Sequence, residues 1–179
     1  ISAAKAARDE VSDDILIAGS LSHRYPIAHG DMQSNATIQF EQSVLQEATD
    51  EMANFLSENG CDLILLEMMY HPDRIQTVFE SAKKTNKPIW AGFSTRRNEN
   101  GDILSLTDSV NVAFREIVKI IKDYELDAVG IMHTDVNIVS DSIKIVREIY
   151  DGTILVYPDS GGWVSPNWIF ITLPFSFFT

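Results

Sequence analysis

The chain has 179 residues, of which 45% are hydrophobic, and its formal net charge is −12. This length and apolar content favour one domain with a substantial core, so we expect a single domain over residues 1–179. The acidic charge, without a cluster of Lys or Arg, argues against nucleic acid or a membrane surface as a partner. A single cysteine excludes an intrachain disulfide, and without a recognisable signal peptide or membrane span we expect a cytoplasmic protein.

Apolar runs and amphipathic segments alternate along the chain. The runs predict strands at 15–21, 61–70, 88–93, 127–132 and 153–157. Apolar residues at three- and four-residue steps predict helices at 1–10, 40–59, 72–86, 109–124 and 138–150, and polar loops remain at 22–37 and 95–107. Strands that alternate with helices predict right-handed βαβ units in a parallel sheet, which could be open or closed into a barrel.

The most informative strand is CDLILLEMMY, residues 61–70. Its centre, Leu63 to Leu66, is apolar without interruption, which is typical of a strand buried on both faces. The run then reaches Glu67, whose ionised form is costly at the end of such a strand unless a partner or water stabilises it. In parallel α/β sheets this end of the strand lies at the edge where ligands bind.

Every predicted strand has a polar side chain at or next to its carboxyl end. These residues are Ser20, Glu67, Ser94, His133, and Asp159 with Ser160. Parallel strands bring such residues to one edge of the sheet, which we call the carboxyl-end rim. Two carboxylates, an imidazole and several hydroxyls could bind an amino acid, hold a metal or transfer a proton, so the pattern predicts a site without choosing its chemistry.

Structural roles are also open for these residues. Glu67 could cap the following helix, His133 could bond a backbone carbonyl, and the serines could serve packing alone. His23 and His29 lie in the first long loop and are expected to be solvated. The thiol of Cys61 opens its strand at the opposite rim, where we expect stability rather than chemistry.

Five ordered segments resemble the homocysteine S-methyltransferase family. They are AGS (residues 18–20), CDLILLE (61–67), PIWAGFS (88–94), AVGIMH (128–133) and LVYPDSG (155–161). The resemblance implies that the chain is part of a (β/α)₈ TIM barrel with about five parallel strands, the third to seventh of the family fold. It also implies transfer of a methyl group to a homocysteine-type thiol, a step of methionine biosynthesis, with zinc holding the thiolate.

The resemblance assigns roles to particular residues. Glu67 matches the carboxylate that holds the amino group of the substrate, and Ser20, Ser94, Asp159 and Ser160 are expected to bind the same small amino acid or thiol. His133 stands where the family has the first of three zinc-binding cysteines, so it is the candidate metal ligand. The family's other two cysteines and its first strand have no counterpart in this sequence, which reads as truncated at both ends.

Two other functions remain open at this point. One is a metal-assisted hydrolase or lyase, in which His133, Glu67 and Asp159 hold an ion with a further nitrogen from His23 or His29. The other is a remnant that binds a small molecule without catalysis. An arc of five strands leaves free edges, so a homo-oligomer, in particular a dimer, is expected.

Overall fold

The computed structural model describes residues 1–12, 14–23, 41–106, 111–159, 162–164 and 167–169. The helices are α1 (Ser2–Asp9), α2 (Gln42–Glu58), α3 (Pro72–Lys84), α4 (Phe114–Val118) and α5 (Val136–Arg147), and a 3₁₀ helix covers Lys119–Asp123. The strands are β1 (Ala18–Ser22), β2 (Leu63–Met69), β3 (Ile89–Phe93), β4 (Thr95–Arg97), β5 (Ile103–Ser105), β6 (Ala128–Asp135), β7 (Thr153–Asp159), β8 (Gly162–Val164) and β9 (Asn167–Ile169).

Five of these strands form one parallel sheet in the order β1-β2-β3-β6-β7. Each strand is followed by helical structure before the next strand of the sheet, as the alternation predicts. Strand β2 lies in the sheet between β1 and β3, and Ile64 and Leu66 are completely buried. These two side chains share one face of the strand, and on the other face Leu63 is 2% exposed and Leu65 is partly buried. The prediction of a strand buried on both faces therefore holds fully at Leu63 and only in part at Leu65.

Aromatic side chains join the middle of the sheet to its helices. The ring of Phe93 on β3 lies 6.3 Å from Phe79 of α3 and 5.8 Å from Phe114 of α4, measured between ring centroids. All three side chains are buried, and each such ring removes a large apolar area from water. This cluster fixes β3 and its neighbours, so the carboxyl ends of the strands are rigid supports for side chains.

The segment after β3 differs from the prediction of a polar loop. Thr95 pairs with Ser105 and Arg97 with Ile103, so β4 and β5 form an antiparallel hairpin. Asn98 closes the turn by accepting a hydrogen bond from the amide of Asp102 at 2.8 Å. The following helix is also shorter than predicted, because helical structure among the described residues begins at Phe114 and changes to a 3₁₀ helix at Lys119.

One face of α2 packs on α3 and the other is exposed. On the packed face Gln46 and Ser81 are 2.9 Å apart, and Lys84 lies 2.7 Å from Asp50. On the other face Val44, Met52 and Phe55 are exposed. The expected dimer that would cover such surfaces stays a prediction. No helix in the described part of the chain is long and apolar enough to span a membrane.

Candidate functional site

The carboxyl-end rim brings four of the predicted site residues together. Nε2 of His133 lies 3.1 Å from Oε1 of Glu67, and Nδ1 of the same ring lies 3.6 Å from Oδ1 of Asp159. The hydroxyl of Ser20 donates a hydrogen bond to Oε2 of Glu67. These residues come from β1, β2, β6 and β7, so the cluster exists only because the parallel sheet aligns the ends of those strands.

The side chains of this cluster are accessible from solvent. Glu67, His133 and Asp159 keep 29%, 27% and 32% of their side-chain surface exposed. The ring of Tyr157 stands edge-on to that of His133, with centroids 5.1 Å apart, and limits how the imidazole can turn. A small polar ligand could therefore reach the cluster from solvent, while Tyr157 limits the movement of the His133 ring.

Glu67 is the most strongly held member of the cluster. The hydrogen bond from Ser20 lowers the pKa of its carboxyl group, burial opposes this shift, and the contact with His133 lowers the pKa further. The net effect is a pKa below the ordinary value of 4.5, so Glu67 is ionised at neutral pH. This carboxylate is therefore a fixed negative charge at the edge of an apolar sheet.

Two irregular backbone positions change the direction in which side chains of the cluster project from their strands. Met68 follows Glu67 and has a φ of 59°, and His133 itself has a φ of 44°. The strand register shifts at the same places, between Leu66 and Met69 on β2 and between Met132 and Asp135 on β6. Such bulges turn side chains away from the regular alternation of a strand and are common beside active sites.

Ser94 occupies a different position from the rest of the predicted set. It is fully buried, and its hydroxyl donates to the backbone carbonyl of Met132 at 2.8 Å. In this structure Ser94 supports the backbone beside His133 and has no direct contact with Glu67. Ser160, the remaining predicted residue, lies outside the described residues, as does His29.

His23 was expected to be solvated, and that expectation is wrong. The side chain is buried, and Nε2 accepts hydrogen bonds from the amides of Tyr70 and His71 at 3.0 and 3.3 Å. These bonds occupy Nε2 and anchor the end of β1 to the start of α3. His71 lies at the N-cap position of α3, and burial lowers its pKa.

Met132 is a residue of this region that the sequence did not single out. Its sulfur accepts a hydrogen bond from the amide of Met68 at 3.3 Å, although the two residues lie on strands separated by β3. The only sequence signal is Gly92 on β3, because a side chain there would collide with Met132. A glycine inside a strand often marks a close approach of this kind.

Comparison with known proteins identifies the family. The model of the homocysteine S-methyltransferase family matches residues 1–170. The chain belongs to this family. No curated protein sequence matches significantly.

A solved structure of similar fold is that of the homocysteine methyltransferase MmuM from Escherichia coli, in its metallated form. It has a TM-score of 0.60 and 19% sequence identity, over 89% of this chain and 54% of that chain. The chain thus spans about half the length of that protein. The shared fold confirms the predicted class, part of a (β/α)₈ barrel with five parallel strands.

The described residues do not fit the zinc site expected of a homocysteine S-methyltransferase. The ring of His133 lies between the carboxylates of Glu67 and Asp159, so the three groups do not converge on one point. Cys61 is buried at the other end of β2, and burial raises the pKa of its thiol. In the part of the chain that the structure describes, no three His, Cys, Asp or Glu side chains are grouped to hold a metal ion.

Proposed function

We propose that the carboxyl-end rim binds the amino group of a homocysteine-type amino acid and orients it for methyl transfer to its thiol. The observation that carries this proposal is the ionised, partly exposed carboxylate of Glu67, fixed by Ser20 on one oxygen and by His133 on the other. A substrate ammonium would complete the hydrogen bonding of this carboxylate. Membership of the homocysteine S-methyltransferase family supports the substrate class.

The charge of the rim suits a cationic group. Each carboxylate oxygen of Glu67 accepts one hydrogen bond from the protein and has lone pairs left for a ligand. Asp159 adds a second carboxylate on the far side of His133. Hydrogen bonds between ammonium and carboxylate are stronger than those between neutral groups, and a preorganised acceptor loses little entropy on binding.

We assign binding and orientation to these residues and no role in activating the thiol. Methyl transfer from a sulfonium donor requires a thiolate, which attacks the methyl carbon while the donor leaves as a thioether. In the family, zinc would lower the pKa of the substrate's thiol and stabilise the thiolate, and the described residues hold no group of ligands for zinc. A ligand set for thiol activation would have to include residues outside the described ranges or another chain.

The test compares two ligands that differ only in the amino group. Calorimetric titration with homocysteine and with the analogue that carries hydrogen in place of the amino group should give roughly a tenfold or greater preference for homocysteine. Equal affinities would contradict the role of Glu67. The titrations should be repeated with added zinc on protein of known metal content, since binding that requires zinc would show that ligands outside the described set contribute.

The pairing within the rim also supports a second candidate. Ser20, Glu67, His133 and Asp159 contact one another, so the cluster could serve as a scaffold without catalysis. In that case neither homocysteine nor its analogue would bind, with or without zinc. The same titration therefore separates a substrate site from a remnant.

A further inference from the structure

We infer that Met132 is a positioning residue whose side chain holds Glu67 in place from beneath the rim. This inference rests on the proposed function for its effect on substrate, but its structural part can be measured without any ligand. Met132 lies on β6, is completely buried and has no atom in the cluster of charged side chains. Its influence would come through the peptide group that follows Glu67.

The side chain of Met132 forms a hydrogen bond with the peptide group that follows Glu67. Its sulfur lies 3.3 Å from the backbone nitrogen of Met68 and accepts a hydrogen bond from it. That nitrogen belongs to the peptide whose carbonyl comes from Glu67, so the bond fixes the plane from which the carboxylate projects. Met68 has a φ of 59°, a conformation that costs energy for a residue with a side chain and persists only where neighbours hold it.

The backbone carbonyl of Met132 is part of the peptide group that precedes His133. It accepts hydrogen bonds from the hydroxyl of Ser94 at 2.8 Å and from that of Thr134 at 2.9 Å. His133 also has a positive φ, of 44°. The peptide after Glu67 is thus held by the sulfur of Met132, whereas the peptide before His133 is held through a backbone carbonyl that any residue at position 132 would supply.

Gly92 makes this connection possible. Strand β3 lies between β2 and β6, and Met132 reaches across it at Gly92. A Cβ atom at position 92 would come within 1.8 Å of Cε and 2.6 Å of Sδ of Met132. Real Cβ atoms do not approach other atoms so closely, so any side chain at position 92 would push the methionine away from Met68.

The first experiment replaces the sulfur and keeps the volume. In Met132→Leu the amide of Met68 loses its acceptor, and we expect its hydrogen exchange to become about three- to tenfold faster. Affinity for homocysteine should fall by a similar factor, since the carboxylate of Glu67 is less well held. The control is Met69→Leu, a completely buried methionine on β2 whose sulfur accepts no hydrogen bond from a described residue; it should leave both values unchanged.

The second experiment uses Gly92. Gly92→Ala should displace Met132 and accelerate exchange of the same amide, and the substitution should have a smaller effect in a Met132→Ala background, where the extra methyl group meets free space. Additive effects of the two substitutions would overturn the inference.

The outcomes separate the inference from the proposed function. Unchanged exchange at Met68 in Met132→Leu would overturn the inference, and so would faster exchange with unchanged homocysteine affinity. Wild-type protein that binds no homocysteine would overturn the proposed function, and the exchange data would then still decide whether Met132 holds the peptide.

Discussion

The two ends of the parallel sheet use carboxylates in opposite ways. At the amino end, Asp62 accepts a hydrogen bond from the amide of Ile17 at 2.7 Å and donates its own amide to the Ile17 carbonyl at 2.8 Å. Asp127 forms the same pair with Ile89, with both distances 3.0 Å. At the carboxyl end, Glu67 and Asp159 face side chains instead of backbone amides.

This difference shows how one residue type serves either stability or binding. A carboxylate bonded to the amide of a neighbouring strand extends the hydrogen-bond ladder and holds the strands in register. A carboxylate bonded to a serine and a histidine remains available to a ligand. Only the carboxyl end carries positive φ values and register shifts among the sheet strands, so local strain and exposed charge occur together there.

The largest expected effect comes from Glu67→Gln. The substitution preserves shape and removes the charge that we propose for ammonium binding. Hydrogen bonds to charged groups contribute about 1.5–3 kcal/mol, so homocysteine affinity should fall roughly 10- to 100-fold by calorimetry. The exposed Glu51 on α2 is the control, and Glu51→Gln should bind as wild type. Equal affinity of Glu67→Gln and wild type would contradict the proposal.

At the opposite end we expect a loss of stability without a loss of binding. Asp127→Ala removes the acceptor of the Ile89 amide, and the loss of one partly buried hydrogen bond costs about 0.5–1.5 kcal/mol. Urea unfolding should show this decrease in the free energy of unfolding. Asp127→Asn keeps a carbonyl oxygen and should lose less than half as much. A fall in homocysteine affinity in either variant would weaken the contrast between the two ends.

A smaller effect is expected from Ser20→Ala. Its hydroxyl is the main cause of the lowered pKa of Glu67, so the substitution should raise that pKa and leave the carboxylate more mobile. Homocysteine affinity should fall about three- to tenfold, as for loss of one hydrogen bond. Titration of Glu67 by NMR measures the pKa directly, and an unchanged value would show that Ser20 does not hold the carboxylate.

The smallest effect concerns pH. Because the pKa of Glu67 is lowered on folding, its contribution to stability is complete above the ordinary value of 4.5 and is lost as pH falls through the lower folded value. The difference in unfolding free energy between wild type and Glu67→Gln should therefore be constant at neutral pH and change only below about pH 4.5. A change near neutral pH would require a different titrating group.

Much of this architecture could be predicted from local sequence patterns. Uninterrupted apolar runs identified the buried strands, and their polar ends identified Ser20, Glu67, His133 and Asp159. The sequence also shows Asp62 and Asp127 just before an apolar strand, at the amino end of the sheet. The pattern does not show which backbone amide each carboxylate contacts.

Other features depend on contacts between distant segments. The positive φ of Met68 has no sequence signal, and histidine, although enriched at positive φ, adopts it too rarely to predict that of His133. His23 looked solvated from its polar neighbours, yet the fold buries it against the amides of Tyr70 and His71. The β4–β5 hairpin was missed because its strands are only three residues long and contain two arginines.

Cys61 gives this chain a practical property. It is the one cysteine of the sequence, it is 1% exposed, and burial raises the pKa of its thiol. Thiol reagents act on exposed thiolates, so Cys61 in the native protein should be nearly unreactive toward them. In Ser22→Cys the new thiol would lie at an exposed position on β1. A fluorophore or spin label would then react there and not at Cys61, so its signal would come from the rim alone.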